Sequence, residues 1–121
     1  MRISTWNVQW ATPRSARGKR VSEILAALES SQGCTVVAGD FNQRIPRTSQ
    51  PEAAAQSLME TLVWFEVPTA SVIEPQLIDH IAHSSDLVAV GQPMRISNVV
   101  DGAELSDHTG VSIQLTSSRH P

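Results

Sequence analysis

Thr35-Val36-Val37-Ala38-Gly39-Asp40-Phe41-Asn42 is the stretch of sequence on which the fold depends. Its first five residues form a largely apolar, β-branched run, which is typical of a strand buried on both faces. Polar residues follow at the strand end, where packing alone would favour hydrocarbon. Because Asp40 and Asn42 are two residues apart, an extended chain places both side chains on one face. The stretch therefore predicts a buried strand that ends at a polar site.

The flanking segments alternate between strand and helix patterns. Alternation of apolar and polar residues predicts strands over 3–10 and 111–116, and three short strands over 77–82, 87–90 and 95–99. Helical spacing predicts one helix over about 19–30 and a second from 49 to about 64. For the second helix we expect Ser49 as N-cap, Glu52 as its capping-box partner, and an apolar side formed by Ala55, Leu58, Met59 and Leu62.

These elements predict an α/β or α+β domain of five to six strands and two helices over residues 1–116, with a flexible tail over 117–121. The 121 residues leave room for one core, and no stretch approaches the ~18 apolar residues of a membrane span. Cys34 alone forms neither an internal disulfide nor a thiolate metal cage. The net charge of −3 gives no long-range attraction to polyanions. We expect a soluble, cytoplasmic protein without a membrane partner.

Two further polar sites lie at predicted strand ends. Asp79-His80 is bracketed by two isoleucines, and Ser106-Asp107-His108 precedes the final strand. Each pattern alone is also typical of a structural feature: an Asx-turn at Asp40, a structural imidazole at His80, or a turn cap at Asp107. However, the carboxylates of Asp40, Asp79 and Asp107 would repel one another in one cleft unless a cation lay among them. Oxygen ligands of this kind favour Mg²⁺ or Mn²⁺ over zinc.

Four motifs, in chain order, resemble those of the endonuclease/exonuclease/phosphatase superfamily. They are Thr5-Trp6-Asn7, Gly39-Asp40-Phe41-Asn42, Ile78-Asp79-His80-Ile81 and Ser106-Asp107-His108. That family includes apurinic endonucleases, deoxyribonuclease I-like nucleases, sphingomyelinases and inositol-polyphosphate phosphatases. The resemblance implies a four-layered α/β sandwich and metal-assisted hydrolysis of a phosphoester.

The resemblance also implies catalytic roles. Asp40 would hold or deprotonate the attacking water, with Asn42 as its orienting partner. His108 would contact the scissile phosphate, and Asp79 would orient His108 and keep it charged. Positive charge of this kind stabilises the charge that develops on phosphate.

The remaining roles concern the metal and the substrate phosphate. The resemblance implies that Asp107 binds the catalytic divalent cation, with Asn7 beside it. Arg44 and Arg47 follow the second motif; they either grip substrate phosphate through bidentate bonds or remain solvated loop charges.

The chain departs from the family pattern in its first half. A single predicted helix separates residues 3–10 from residues 35–42, where the family has a strand that ends in a metal-binding Glu and a long middle region. That region also supplies a phosphate-contacting Tyr or His, whereas this chain has no Tyr and all four His follow residue 42. We therefore expect a truncated sandwich that forms a homodimer through uncovered apolar surface, with Trp6, Trp10, Val36 and Val37 as candidates.

The expected function is a Mg²⁺- or Mn²⁺-dependent phosphodiesterase or phosphatase, with DNA as the leading substrate. A catalytically impaired remnant that serves as a minimal fold or interaction module is the alternative, favoured by the missing Glu and Tyr. Retention of the acids at the strand ends argues against it, because buried acids need partners. A small-molecule or lipid phosphoesterase is a third interpretation, which differs only in loops and groove shape.

Overall fold

Strand β2 (Thr35–Asp40) is the middle strand of a three-stranded sheet with the order β1-β2-β3. On one side β1 (Arg2–Thr5) runs parallel to it, and on the other β3 (Asp79–His83) runs antiparallel. The side chains of residues 35–37 are buried, as the apolar run predicts. The register of β2 and β3 sets Asp40 directly opposite Asp79, so two acids meet at one end of the sheet.

The computed structural model describes residues 2–5, 23, 26–27, 33–70 and 75–118. Their helix and mainly antiparallel strands place the chain in the α+β class, as expected. Glu23, Ala26 and Ala27 are helical; the remainder of the helix expected over 19–30, and the strand expected beyond Thr5, lie outside the described residues. None of the helical segments described has the length and hydropathy needed to cross a bilayer.

Helix α1 (Glu52–Thr61) packs against the sheet through Leu58, and Leu62 follows at its C-cap. These two side chains join Val37, Phe41 and Ala82 in the core. The core therefore joins the helix to the two strands that carry Asp40 and Asp79.

The start of α1 differs from the capping box expected at Ser49 and Glu52. The N-cap residue is Pro51, and no side chain caps the helix. Gln50 is buried, and its Oε1 accepts a hydrogen bond from the Thr48 backbone N–H at 3.3 Å. Because residues 48–50 turn back on themselves in this way, Ser49 is not at the position of an N-cap.

The end and the buried face of α1 also differ from expectation. The helix ends at Thr61 rather than near Trp64, because the chain turns so that Glu66 can pair with His83 beside β3. Its buried residues are Ala54, Ser57 and Leu58, and the side chain of Met59 is 47% exposed. The expected apolar side is therefore rotated toward Ala54 and Ser57.

A second sheet consists of β4 (Leu87–Ile96) paired antiparallel with β7 (Gly110–Ser117). The two strands expected over 87–90 and 95–99 thus belong mostly to one strand, whose register shifts between Val90 and Met94. Gly91 lies in this irregularity with φ of 74°, a conformation that glycine adopts without strain. β7 extends through Ser117 into the expected tail, and residues 119–121 lie outside the described residues.

A short hairpin lies between these two strands. β5 (Val99–Val100) pairs with β6 (Ala103–Glu104), and the turn consists of Asp101 and Gly102 with φ of 50° and 78°. Asp-Gly with positive φ at both positions is typical of the type I′ turn, which matches the twist of two paired strands.

Replacing Leu58 by Ala should lower the free energy of unfolding by about 2–5 kcal/mol, because it leaves a cavity in the core that joins α1 to the sheet. Leu58 is 7% exposed, whereas Val63 just beyond the helix is 68% exposed. Val63→Ala is therefore the matched control and should change stability by no more than about 0.5 kcal/mol. Urea denaturation followed by circular dichroism measures both, and equal losses would contradict this description of the core.

Candidate functional site

The candidate site lies where three segments of the chain meet. Asp40 ends β2, Asp79 begins β3, and His108 lies in the loop before β7. One potential ligand atom from each of these half-buried residues lies within 4.8 Å of the other two. We call these three residues the acid–histidine cluster. Its members are separated in sequence and are brought together by the pairing of β2 with β3 and by contact between β3 and β7.

His108 lies between two carboxylates. Its Nε2 is 2.8 Å from Oδ1 of Asp79, and its Nδ1 is 2.8 Å from Oδ1 of Asp107. Because a carboxylate only accepts hydrogen bonds, both contacts are satisfied together when both ring nitrogens carry protons. The arrangement therefore favours the imidazolium form of His108.

The pKa of His108 follows from the same contacts. Partial burial acts to lower it, but the hydrogen bond to Asp79 and the charges of the surrounding carboxylates outweigh burial and raise the pKa of His108 above its ordinary value. His108 therefore stays a positively charged hydrogen-bond donor at the edge of the cluster up to a higher pH than an ordinary histidine does.

Asp40 is held by the backbone that follows it. The backbone N–H of Asn42 donates to Oδ1 of Asp40 at 2.8 Å, and Asn42 has φ of 52°. This is the Asx-turn that is the structural alternative for this motif, and asparagine tolerates the left-handed conformation. The turn also fixes the orientation of the Asp40 carboxylate within the cluster, so a structural and a functional role are compatible here.

His80, next to Asp79, has a structural role. It is buried, and its Nε2–H donates to the carbonyl oxygen of Gln43 at 2.7 Å, which assigns Nδ1 as the acceptor of the Thr69 hydroxyl at 3.0 Å. Burial disfavours the charged ring and lowers the pKa of His80. Neutral His80 therefore ties the loop after β2 to β3, directly behind Asp40 and Asp79. Gln43 and Thr69 were not singled out by their sequence pattern, because their partner lies far along the chain.

The other predicted site residues lie outside this cluster. The side chain of Asp107 is 90% exposed and contacts the cluster only through His108. Asn7 lies outside the described residues. Arg44 is half-buried and Arg47 is exposed, and both line a cavity against α1.

Among the described residues, the cluster fits a hard divalent cation in the type of its ligands. Asp40 and Asp79 supply carboxylate oxygens, and the two acids face each other across paired strands, where like charges repel. Mg²⁺ is commonly held in proteins by one or two carboxylates while it keeps several waters. No protein-family model, curated protein or solved structure matches this chain. The family resemblance therefore remains a prediction from the motifs.

Asp79→Asn should lower the pKa of His108, because the variant removes the carboxylate that stabilises the imidazolium. NMR titration of the histidine ring protons in EDTA measures the change. The pKa of His80 should also fall, because the Asp79 charge raises it, and it should stay below the ordinary value in both proteins. The same linkage predicts that His108 adds to folding stability at pH values below its unfolded-state pKa, and that this contribution disappears as the pH rises through the folded-state pKa.

Asp107→Asn is the matched comparison. It removes a charge next to the same ring, but the Asp107 carboxylate is solvated, so the pKa of His108 should fall less than in Asp79→Asn. Equal effects of the two variants would contradict the assignment of Asp79 as the principal partner of His108.

Proposed function

We propose that this protein is a Mg²⁺- or Mn²⁺-dependent phosphoester hydrolase, with DNA as the leading substrate. The observation that carries the proposal is the meeting of Asp40, Asp79 and His108 within 4.8 Å. Two facing acids repel each other in a sheet; the His108 imidazolium offsets part of this cost through Asp79, and a cation held by both acids would offset more. The four motifs supply independent support, since all three residues belong to them.

A cation at this site would be held by Asp40 and Asp79, and Asp107 and Asn7 are the further ligands that the motif resemblance implies. When bound, it would neutralise charge on the substrate phosphate and polarise the phosphoester. The mobility expected of an exposed carboxylate allows Asp107 to leave His108 and turn toward the cluster. This movement is part of the proposal.

The remaining steps belong to the protein's own side chains. Asp40, oriented by the Asn42 backbone N–H, would accept the proton of the attacking water. His108, kept charged by Asp79, would donate from Nδ1 to a phosphate oxygen in place of Asp107. The water oxygen would form the new bond to phosphorus as the phosphoester P–O bond breaks, and the leaving oxygen would take a proton from solvent water. Asp40 thus accepts the proton of the nucleophile, and His108 donates to the developing negative charge.

Purified protein should nick supercoiled plasmid DNA in Mg²⁺ or Mn²⁺ and not in EDTA. Asp40→Asn and His108→Ala should each lower the nicking rate by about a hundredfold or more, which is the typical contribution of a general acid or base. Asp101→Asn is the matched control, because Asp101 is an exposed acid in a hairpin turn whose φ of 50° asparagine also tolerates.

Nicking that persists in both site variants would indicate a contaminating nuclease and contradict the assignment. If no substrate is cleaved, the thermal melting temperature decides between the alternatives. A Mg²⁺-dependent rise that Asp40→Asn abolishes would support a remnant that keeps the cation site, because a ligand of the folded state alone stabilises it. Phosphomonoesters and lipid phosphodiesters are the substrates to test before accepting the remnant.

We also propose that the protein is a cytoplasmic homodimer, in which two copies of the chain associate through exposed apolar side chains. Val36 and Val37 were candidates for that surface, but they are only 6% and 1% exposed, because both pack within the sheet. Trp6 and Trp10 lie outside the described residues. The exposed apolar side chains of β4 are instead Val88, Val90, Met94 and Ile96, between 43% and 68% exposed.

Light scattering should give twice the mass of one chain for the native protein, and the mass of one chain for Val88→Lys combined with Ile96→Lys. Charges in the middle of an apolar contact oppose association because they lose their hydration. Gln92→Lys adds the same charge at an exposed polar position of β4 and should leave the dimer intact. A native protein with the mass of one chain would refute the dimer.

A further inference from the structure

A cavity of about 250 Å³ lies between the loop after β2 and helix α1. Its walls include Gln43, Arg44, Ile45 and Arg47 from the loop, and Leu58 and Met59 from the helix. Binding pockets for drug-sized ligands have volumes of roughly 300–1,000 Å³, so this cavity suits a smaller group. We propose that it binds a nucleoside monophosphate, with the base inside and the phosphate at the arginines.

The first argument for this ligand is the amide of Gln43. Gln43 is 1% exposed and lines the cavity, and neither its Nε2 nor its Oε1 has a hydrogen-bond partner among the described residues. A buried amide without partners is costly, so a ligand that pairs with it gains affinity. A turn of the side chain into the cavity would present a donor and an acceptor side by side. This pair complements the N6 and N7 edge of adenine.

The second argument is the charge of two arginines beside the cavity, whose inner surface is mostly apolar. Arg44 is half-buried and has no ion-pair or hydrogen-bond partner within the described part of the chain. Arg47 uses Nη1 to donate to the carbonyl oxygen of Gln50 at 3.0 Å, which positions its guanidinium. Guanidinium groups bind phosphate oxygens through two parallel hydrogen bonds. An anion attached to the base therefore has suitable donors at the same cavity.

The combination of these features selects the ligand. The apolar side chains of Leu58, Met59 and Ile45 suit a planar ring or a hydrocarbon chain equally. A hydrocarbon chain, however, would leave the Gln43 amide unpaired, whereas a nucleobase pairs with it. The inference goes beyond the proposed hydrolysis, because binding at this cavity requires neither a cation nor cleavage.

Isothermal titration calorimetry of the full chain in EDTA tests the inference, with deoxyadenosine monophosphate, deoxyadenosine and inorganic phosphate as probes. The monophosphate should bind saturably, and the nucleoside about tenfold more weakly. Arg44→Gln should weaken the monophosphate about tenfold and leave the nucleoside unchanged, because only the phosphate contact is lost. Gln43→Leu should weaken both probes by a similar factor.

Met59→Trp should fill the cavity and weaken both probes at least about tenfold. Met59 is 47% exposed, so the larger side chain is compatible with folding, which circular dichroism verifies. Val63→Trp and Gln56→Leu are the matched controls, because both positions are exposed and neither lines the cavity. Both controls should bind like the native protein.

Absence of saturable binding up to about 10 mM monophosphate would overturn the inference. Unchanged binding by Met59→Trp, or equal affinity for inorganic phosphate alone, would overturn it as well. An oligonucleotide with a 5′-terminal deoxyadenylate distinguishes a free nucleotide from a strand end; binding of either one that Met59→Trp weakens supports the site. Because cation is absent throughout, these outcomes are independent of whether the acid–histidine cluster hydrolyses phosphoesters.

Discussion

The antiparallel pairing of β2 with β3 is the constraint on which the candidate site depends. Its register sets Asp40 opposite Asp79, and any shift by one residue would send one of the two side chains to the other face of the sheet. The core includes Ala82 of β3, which pairs with Val37 of β2 in this register, so a shifted register would disrupt the core. Burial of the apolar residues therefore places two acids together, at a cost that a ligand or an imidazolium can offset.

His108 and His80 show how their surroundings shift the pKa values of two imidazoles in opposite directions. His108 has a raised pKa because carboxylates surround it, whereas His80 has a lowered pKa because it is buried and hydrogen-bonded as a neutral ring. The neutral ring connects β3 to the loop after β2, and the charged ring donates to Asp79. The first arrangement supplies rigidity, and the second supplies charge at the cluster.

The sequence allowed the buried strand, the polar residues at its end and the α+β class to be predicted, because these features depend on local pattern. The helix cap and the exposure of Met59 could not be predicted in the same way, since they depend on how residues 48–51 and the helix pack against distant strands. Thr69 and Gln43 were missed for the same reason: each is recognisable only from its contact with His80. Asp101-Gly102 is different, because a local turn signal was present in the sequence and would have identified the hairpin.

The arrangement of the strands also has a consequence for how the chain folds. The β5–β6 hairpin forms around a turn of two residues. Because it lies between β4 and β7 in the sequence, it shortens the loop that must close when β4 pairs with β7. By contrast, β1, β2 and β3 pair across long stretches of sequence, so their contacts form only after a larger loss of chain entropy. Because the acid–histidine cluster needs both sheets, it is complete only when the slow, non-local sheet has formed. Fluctuations that open the β1–β2–β3 sheet locally would move the residues of the cluster apart while the β5–β6 hairpin stays paired.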